Sequence, residues 1–421
     1  MTTDFQGLAF DPIAAVKAAH RASIPLATTK GSVRSQAVAM MANALAQNQN
    51  EILEANTLDL EASREMAVPE LILDWLKLTP ERLQMAVQLL LRLSELPDPI
   101  GRVMDASYQI DQCQTYSQLM PLGVIAMVYD AFPELAAVAA GLCVKTANSL
   151  VLKGGSEASH SNAAIAQALW SALEDSQLPS GCLQVLSSDQ GVPVRDLFVQ
   201  DQYLNLIIPY GRPTLVQQIM RQAAVPVLKS AMGNCYLYWA PSGSLDAVRW
   251  MILDSHQSEP DPVNAIEKVL IHRSQNPSSL TMLWSSLREK GFELRGDEEL
   301  QAEFPDLGLT EGAEWRQAYL GKVIAFKVVD SLEAAIAWIN QHSSGHADCL
   351  VTESYQESRQ FALGVNSAST FINASPRFSR NPRRGDSIFL GMSNQKGLRR
   401  GPISMQTLTT VKHIIQGSGQ F

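Results

Sequence analysis

The feature that most constrains this chain is a regular alternation of short apolar runs and amphipathic segments that begins near residue 122. LGVIAMVYD, Leu122 to Asp130, is a continuous apolar stretch of strand length, as a strand covered on both faces requires. ELAAVAAGLCVKTA follows with helical spacing, then SLVLK as a strand, EASHSNAAIAQALWSALEDS as a helix and CLQVLS as a strand. LNLIIP, TLVQQIMRQAA and PVLKS continue the series as strand, helix and strand. Such repetition with short connections predicts a parallel, doubly wound sheet, and right-handed crossovers place helices on both of its faces. After the helix SLDAVRWMILDSHQ the alternation resumes with KVLIHR, SLTMLWSSLREKG, KVIAFKVVD, SLEAAIAWINQHSS, CLVTE and STFINA, so a second α/β domain is expected. Within it, Asp330 is the expected cap of SLEAAIAWINQHSS, with Glu333 three residues on.

The flanks differ. The first hundred residues carry apolar residues at three-to-four spacing and predict helices, ending at PDPIGR. Tyr108 to Leu119 is polar and β-prone, which predicts a hairpin or arm, and the tail LTTVKHIIQGSGQF has strand character suited to pairing outside its own domain. A net charge of −9 argues against broad nucleic-acid binding, which needs a basic face. No apolar run reaches the roughly 18 residues of a membrane span, and the start lacks a signal-peptide pattern, so a cytoplasmic protein is expected. The five scattered cysteines, Cys113, Cys143, Cys182, Cys235 and Cys349, fit reduced thiols. None stands at metal-ligand spacing, so no metal site is expected. His256 and His272 bracket the segment SEPDPVNAIEKVLIH and are expected to be structural.

Two strand-to-helix turns are candidates for an anionic ligand. In KGGSEASHSN, Gly154 and Gly155 allow close backbone approach, the helix start offers free amides and a positive dipole end, Lys153 suits a phosphate or ribose, and Glu157 suits a ribose hydroxyl. A tight turn with no ligand explains the same string equally well. In IPYGRPT, Gly211 is followed by Arg212 and Pro213: Arg212 attracts an anion, or its bulk fills the space a cofactor needs. The stretch RFSRNPRRGD, with Arg399 and Arg400, is locally basic and is expected to be a solvated loop, the other reading being an anion or partner site.

The strings PLGVIAMVYDAFPE, VLKGGSEASHSN, LNLIIPYG, PVLKSAMGNCYLY, NAIEKVLIH, FELRGDEE, KVVDSLEAAIAWIN, GHADCLVTE, FINASPRF, SNQKGLRRGP and LTTVKHIIQGSGQF resemble the gamma-glutamyl phosphate reductase family of the aldehyde dehydrogenase superfamily. The resemblance implies an aldehyde dehydrogenase-like α/β fold: a Rossmann-like cofactor domain (1–105 and 124–242, with 378–396 returning to it), a catalytic-type α/β domain (243–377), and a β arm for homo-oligomerisation (106–123 and 397–421). It also implies NADPH-dependent reduction of L-glutamyl 5-phosphate to L-glutamate 5-semialdehyde in proline biosynthesis. In that reaction a cysteine thiolate attacks the acyl phosphate, phosphate leaves, and hydride reduces the thioester. NADP(H) is the implied cofactor, with Lys153, Gly154, Gly155, Glu157, Gly211 and Arg212 as the implied contacts. Weakened or lost binding is expected from Tyr210 and Arg212.

This chain departs from the family where the chemistry sits. Val263 stands at the position of the nucleophilic cysteine, followed by Asn264, and NAIEKVLIH fixes the register without a gap. A thiolate is nucleophilic near neutral pH and gives a reducible thioester; an isopropyl group does neither. Glu134 stands where an asparagine amide steadies the oxyanion, and losing one such donor costs roughly 10² to 10³ in rate. Phe132 and Glu259 replace arginines, Phe389 replaces a glutamate, and Ser230 and Tyr236 stand where histidines are usual. A phosphorylated substrate needs cationic and hydrogen-bonding partners, so these changes oppose its binding. Cys143, Cys235 and Cys349 lie in helices or strands and are expected to pack rather than react. The combined expectation is a catalytically impaired homologue with a binding, regulatory or structural role, self-associating and with a possible protein partner, the alternative being an active reductase with an unusual site.

Overall fold

The computed structural model of the chain describes residues 8–9, 11–105, 113–188, 194–257, 262–383, 385–395 and 399–417. They fall into two units, one made of residues 1–229, 380–390 and 402–421 and the other of 230–379 and 391–401.

The first unit opens with five helices: α1 (Pro12–Leu26), α2 (Gly31–Gln47), α3 (Gln49–Glu65), α4 (Glu70–Leu76) and α5 (Pro80–Glu95). Asp11 and Thr79 cap α1 and α5 by accepting from Ile13 N–H and Arg82 N–H, and each of these helices carries proline in its first turn, where a missing N–H costs nothing. The strands β1 (Val103–Asp105) and β2 (Gln114–Pro121) follow, then the alternation β3 (Val124–Tyr129), α6 (Leu135–Lys145), β4 (Ser149–Gly154), α7 (Ser159–Glu174), β5 (Leu183–Val185), α8 (Val194–Phe198), β6 (Leu206–Tyr210) and α9 (Pro213–Gln222). Strands β5-β4-β3-β6 form a parallel sheet in that order. Every residue of β3 and β4 is buried, as the apolar runs VIAMVY and LVL within them require. One face packs Val124, Ala126, Val128 and Val151 against Val16 and Ala19 of α1.

The second unit holds β7 (Cys235–Trp239), α10 (Leu245–Ser255), β8 (Ile266–His272), α11 (Pro277–Glu289), β9 (Glu293–Gly296), α12 (Glu298–Glu303), β10 (Gly308–Leu309), β11 (Val323–Val329), α13 (Leu332–His342), β12 (Ala347–Val351), α14 (Tyr355–Gly364) and β13 (Ser369–Ile372). Its seven strands are parallel, in the order β10-β9-β11-β8-β7-β12-β13. Helices α10 and α11 cover one face around Leu237, Val269 and Ile271, and α13 and α14 cover the other around Tyr236, Tyr238 and Leu270. The chain ends with the short strands β14 (Gly391–Ser393) and β15 (Gly401–Ile403) and then β16 (Thr409–Gln416). Strand β16 pairs antiparallel with β2 over eight residues, Thr409 opposite Pro121 through Gln416 opposite Gln114.

Several expectations change. Of residues 378–396, placed by sequence in the first domain, only 380–390 lie in the first unit. Residues 230–242, assigned by sequence to the first domain, lie in the second unit, because β7 is a central, fully buried strand of the seven-stranded sheet. PVLKS is not a strand: Val227 makes only an isolated bridge to Ile207, and Pro226 has no N–H to offer a ladder. Helix α13 is capped by Ser331, which accepts from Ala334 N–H, while Asp330 pairs with Arg273 instead. Helix α14 escaped the sequence reading because Phe361 is its one buried residue. Among the described residues no helix is long and apolar enough to cross a membrane.

Candidate functional site

In the first unit the candidate residues gather at the carboxyl ends of β3, β4 and β6. In open parallel sheets, ligands bind in the crevice where strand order reverses, here between β3 and β6. That crevice holds a dense set of contacts within the chain. Asp130, just past β3, accepts from the backbone N–H of Arg212 at 2.7 Å and from its guanidinium at 3.0 and 3.1 Å. This pairing holds the Arg212 pKa up. Gly211 lies at φ +138°, and a Cβ there would collide with the Asp130 carboxylate. Phe132 is fully buried, stacked on Trp75 at 4.7 Å and edge-on to Tyr210 at 5.6 Å. Arg380 donates to the Tyr210 hydroxyl at 2.8 Å. Glu134 accepts from Arg82 at 2.7 Å through both carboxylate oxygens, and both side chains are buried.

The turn after β4 is similarly occupied. The Lys153 ammonium donates to the Ser187 carbonyl at 2.6 Å. A Cβ on Gly154 would meet the Asn162 amide, and one on Gly155 would meet the Glu157 carboxylate; both glycines therefore have a reason internal to the chain. Burial, with Asp130 adding to it, raises the Glu157 pKa, and Glu157 Oε1 has no hydrogen-bond partner among the described residues. The first amides of α7 are taken by Asp59 of α3. Its carboxylate accepts from His160 N–H at 3.0 Å, from Ser161 N–H at 2.8 Å and from the Ser161 hydroxyl at 2.6 Å.

In the second unit Val263 and Asn264 precede β8, at the amino edge of the sheet. Val263 is fully buried. Its carbonyl accepts from Gly233 N–H at 2.9 Å and from His346 Nε2 at 2.8 Å. Cys235 Sγ lies 3.3 Å from the same imidazole nitrogen. Burial, with the neighbouring acidic groups Asp348, Cys349 and Glu267 adding to it, raises the Cys235 pKa well above the ordinary thiol value. It is therefore a protonated, enclosed thiol, as are Cys143 and Cys349, which burial also shifts upward. Asn264 donates to the Pro376 carbonyl at 2.8 Å, and its Oδ1 has no partner among the described residues. Tyr236 donates to the Trp315 carbonyl at 2.6 Å, and Ser230 is buried in an isolated bridge to Ser393. The Phe389 amide donates to the Arg380 carbonyl within the first unit. Glu259 lies outside the described residues.

His256 bonds the Ile266 carbonyl and packs edge-on to Phe292, a structural role. The sequence reading missed Asp59, Arg82 and His346. Their partners lie 52 to more than 100 residues away, and no local spacing announces them. Among the described residues no three potential ligands are grouped to hold a metal.

The sequence pattern of the aldehyde dehydrogenase family matches residues 8–234, in keeping with the doubly wound sheet of the first unit. Over 404 residues, 96% of each chain, this chain is 54% identical to gamma-glutamyl phosphate reductase 2 of Synechocystis sp.. It is 37% identical to gamma-glutamyl phosphate reductase of Gloeobacter violaceus over 96% of each chain. The crystal structure of gamma-glutamyl phosphate reductase from Thermotoga maritima superposes with a TM-score of 0.89 at 30% identity, covering 98% of this chain and 99% of that one. The fold is thus that of an aldehyde dehydrogenase. Within that class, the chain belongs to the gamma-glutamyl phosphate reductase family.

Proposed function

We propose that this chain is a member of its family in which acyl-phosphate reduction has been lost, and that it serves as a self-associating binding or structural homologue. One observation carries the reading. Val263, at the position the family resemblance gives to the nucleophile, is a buried isopropyl group, and Cys235, whose sulfur shares the His346 imidazole nitrogen with the Val263 carbonyl, is enclosed and protonated. Reduction by the family's route needs a sulfur that captures the acyl carbon, expels phosphate, accepts hydride at the thioester and is released as thiol. Removing a covalent nucleophile costs on the order of 10⁶ in turnover in a protease example. The burial of Phe132 and the Arg82–Glu134 pair support the same reading, because neither leaves a donor for an oxyanion.

The family implies a nicotinamide cofactor, NADP(H) by resemblance, supplying hydride. Lys153, Gly154, Gly155, Glu157, Gly211 and Arg212 would hold it, and they fit it poorly. The space beside each glycine is filled by Asn162, Glu157 or Asp130, and Asp59 occupies the first amides of α7. Weak or absent binding follows. In this reading the first unit is a cofactor-type domain kept for its fold, the second a catalytic-type domain, and β2 with β16 an arm for homo-oligomerisation in the cytoplasm.

A second reading, an active reductase of proline biosynthesis, is favoured by the 54% identity to a protein of that name. The two part on one assay: NADPH-dependent reduction of glutamyl phosphate, or its reverse, by the purified chain beside Val263→Cys. Turnover of the unaltered chain above about 1 s⁻¹, the low end for enzymes, or its rescue of a proline-requiring strain, refutes the loss. Calorimetry showing tight, stoichiometric NADPH binding refutes the cofactor part alone.

A further inference from the structure

The carboxyl edge of the seven-stranded sheet lies at the other end of β8 from Val263. The six residue steps from Ile266 to His272 span about 20 Å at strand rise. Past β11 and β12 the chain enters α13 and α14 on one face of the sheet, and their first turns frame a cavity of about 340 Å³. This is the low end of the size range for small-molecule pockets. Its lining includes Tyr238, His272, Ser331, Glu333, Ser354 and Glu357.

Two features point to a ligand. Tyr238 is fully buried, it lines the cavity, and its hydroxyl has no hydrogen-bond partner among the described residues. A buried phenol left unpaired costs free energy that native proteins rarely leave uncompensated. The second feature is the charge of the lining, which holds the carboxylates Glu333 and Glu357 and no lysine or arginine. The adjacent Arg273 is already paired with Glu299 and Asp330. His272 Nδ1 accepts from Ser274 N–H at 3.1 Å, which places the proton of the neutral ring on Nε2.

The positive ends of the two helices would ordinarily favour an anion, but they are already met. Ser331 accepts from Ala334 N–H and Ser354 from Glu357 N–H, and Glu333 and Glu357 sit in the first turns against the dipoles. Gln360 donates to Glu333 at 2.6 Å, and Thr352 donates to Glu357 Oε2. The Glu333 and Glu357 carboxylates and the Tyr238 oxygen remain able to accept from donors that carry positive charge.

We propose that this edge binds a small organic cation, an ammonium or guanidinium compound, whose N–H groups bond the Tyr238 hydroxyl and the Glu333 and Glu357 carboxylates. The site is separate from the reductase-type residues, so it stands whichever reading of the chemistry holds.

Titration calorimetry of the full chain with agmatine and with n-butylammonium, against sodium chloride, phosphate and acetate, tests it. Expected is one-to-one binding of at least one of the two cations with Kd below about 1 mM. Tyr238→Phe and Glu357→Gln should each weaken that binding by about tenfold, and Val263→Cys should leave it unchanged. Tyr238→Phe should melt no lower than the unaltered chain, because the lost hydroxyl has no partner among the described residues; this separates loss of the site from loss of the fold. Binding of neither cation, binding of phosphate or acetate in their place, or an unaltered affinity in Tyr238→Phe overturns the proposal.

Discussion

At the carboxyl edge of the four-stranded sheet, Asp59, Asp130 and Glu134 are met by donors from this same chain. At the carboxyl edge of the seven-stranded sheet, buried Tyr238 lines a cavity and its hydroxyl has no hydrogen-bond partner among the described residues. The two edges are built alike, from parallel strands that feed helix N-termini toward one crevice. Their difference lies in what satisfies those helix starts. A distant carboxylate closes α7, whereas local serines close α13 and α14 and leave room above the sheet. A strand-to-helix turn with glycines is thus only the opportunity for a ligand; the side chains that reach it from elsewhere decide whether space remains.

The comparison breaks most visibly at Arg82. Arg82→Ala leaves the buried Glu134 carboxyl without its partner, and should cost about 3–5 kcal/mol in urea unfolding. Arg82→Met with Glu134→Leu should recover most of that loss. An Arg82→Ala cost below about 1 kcal/mol would mean that the pair does not hold the first edge closed.

Asp59→Ala removes the acceptor for two amides and a hydroxyl and should cost about 2 kcal/mol. It should also free the start of α7, so that phosphate stabilises the variant and not the unaltered chain in thermal melts. Equal phosphate response in both would show that Asp59 is not what excludes an anion there.

The second unit handles one buried carboxylate by proton rather than by arginine. Burial raises the Asp348 pKa to about 7, outweighing the bonds it accepts from Ser367, Tyr236 N–H and Ser343. Burial lowers the His346 pKa to about 4. Unfolded, these groups titrate near about 3.9 and about 6.5. Between pH 7 and 4 the folded chain therefore holds the Asp348 proton that the unfolded chain releases, and stability from this group grows on acidification. His346 works the other way, its contribution fading as pH falls from about 6.5 through 4. Asp348→Asn removes the first effect alone. Its unfolding free energy should fall more steeply than that of the unaltered chain on acidification, by about 1 kcal/mol per pH unit; parallel curves would refute the assignment. The smallest expected effect is at α13: Ser331→Ala should cost about 1 kcal/mol, and Asp330→Ala should leave that helix intact by circular dichroism.

Much of the fold was legible because fully buried parallel strands write themselves as unbroken apolar runs, as in VIAMVY. The position of Val263 was legible through the string NAIEKVLIH beside it. Helix α14 was not, since it buries one residue along its length. Nor was the boundary at 230, because GNCYLYW reads as a strand without saying which sheet it enters. Asp59 and Arg82 were invisible as site residues for a different reason. A carboxylate inside an otherwise polar helix looks solvated until tertiary structure brings it to its partner. Sequence placed the turns; it could not say what would cover them.

Strand β16 draws its whole ladder from β2, a segment that leaves the ribosome nearly three hundred residues earlier. During synthesis the β2 edge facing β16 must therefore wait, unzipped, until residues 409–416 arrive. A ribosome stalled before Thr409 would hold a chain with both α/β layers already emerged and a bare backbone edge exposed, the form most open to pairing with a neighbouring nascent copy.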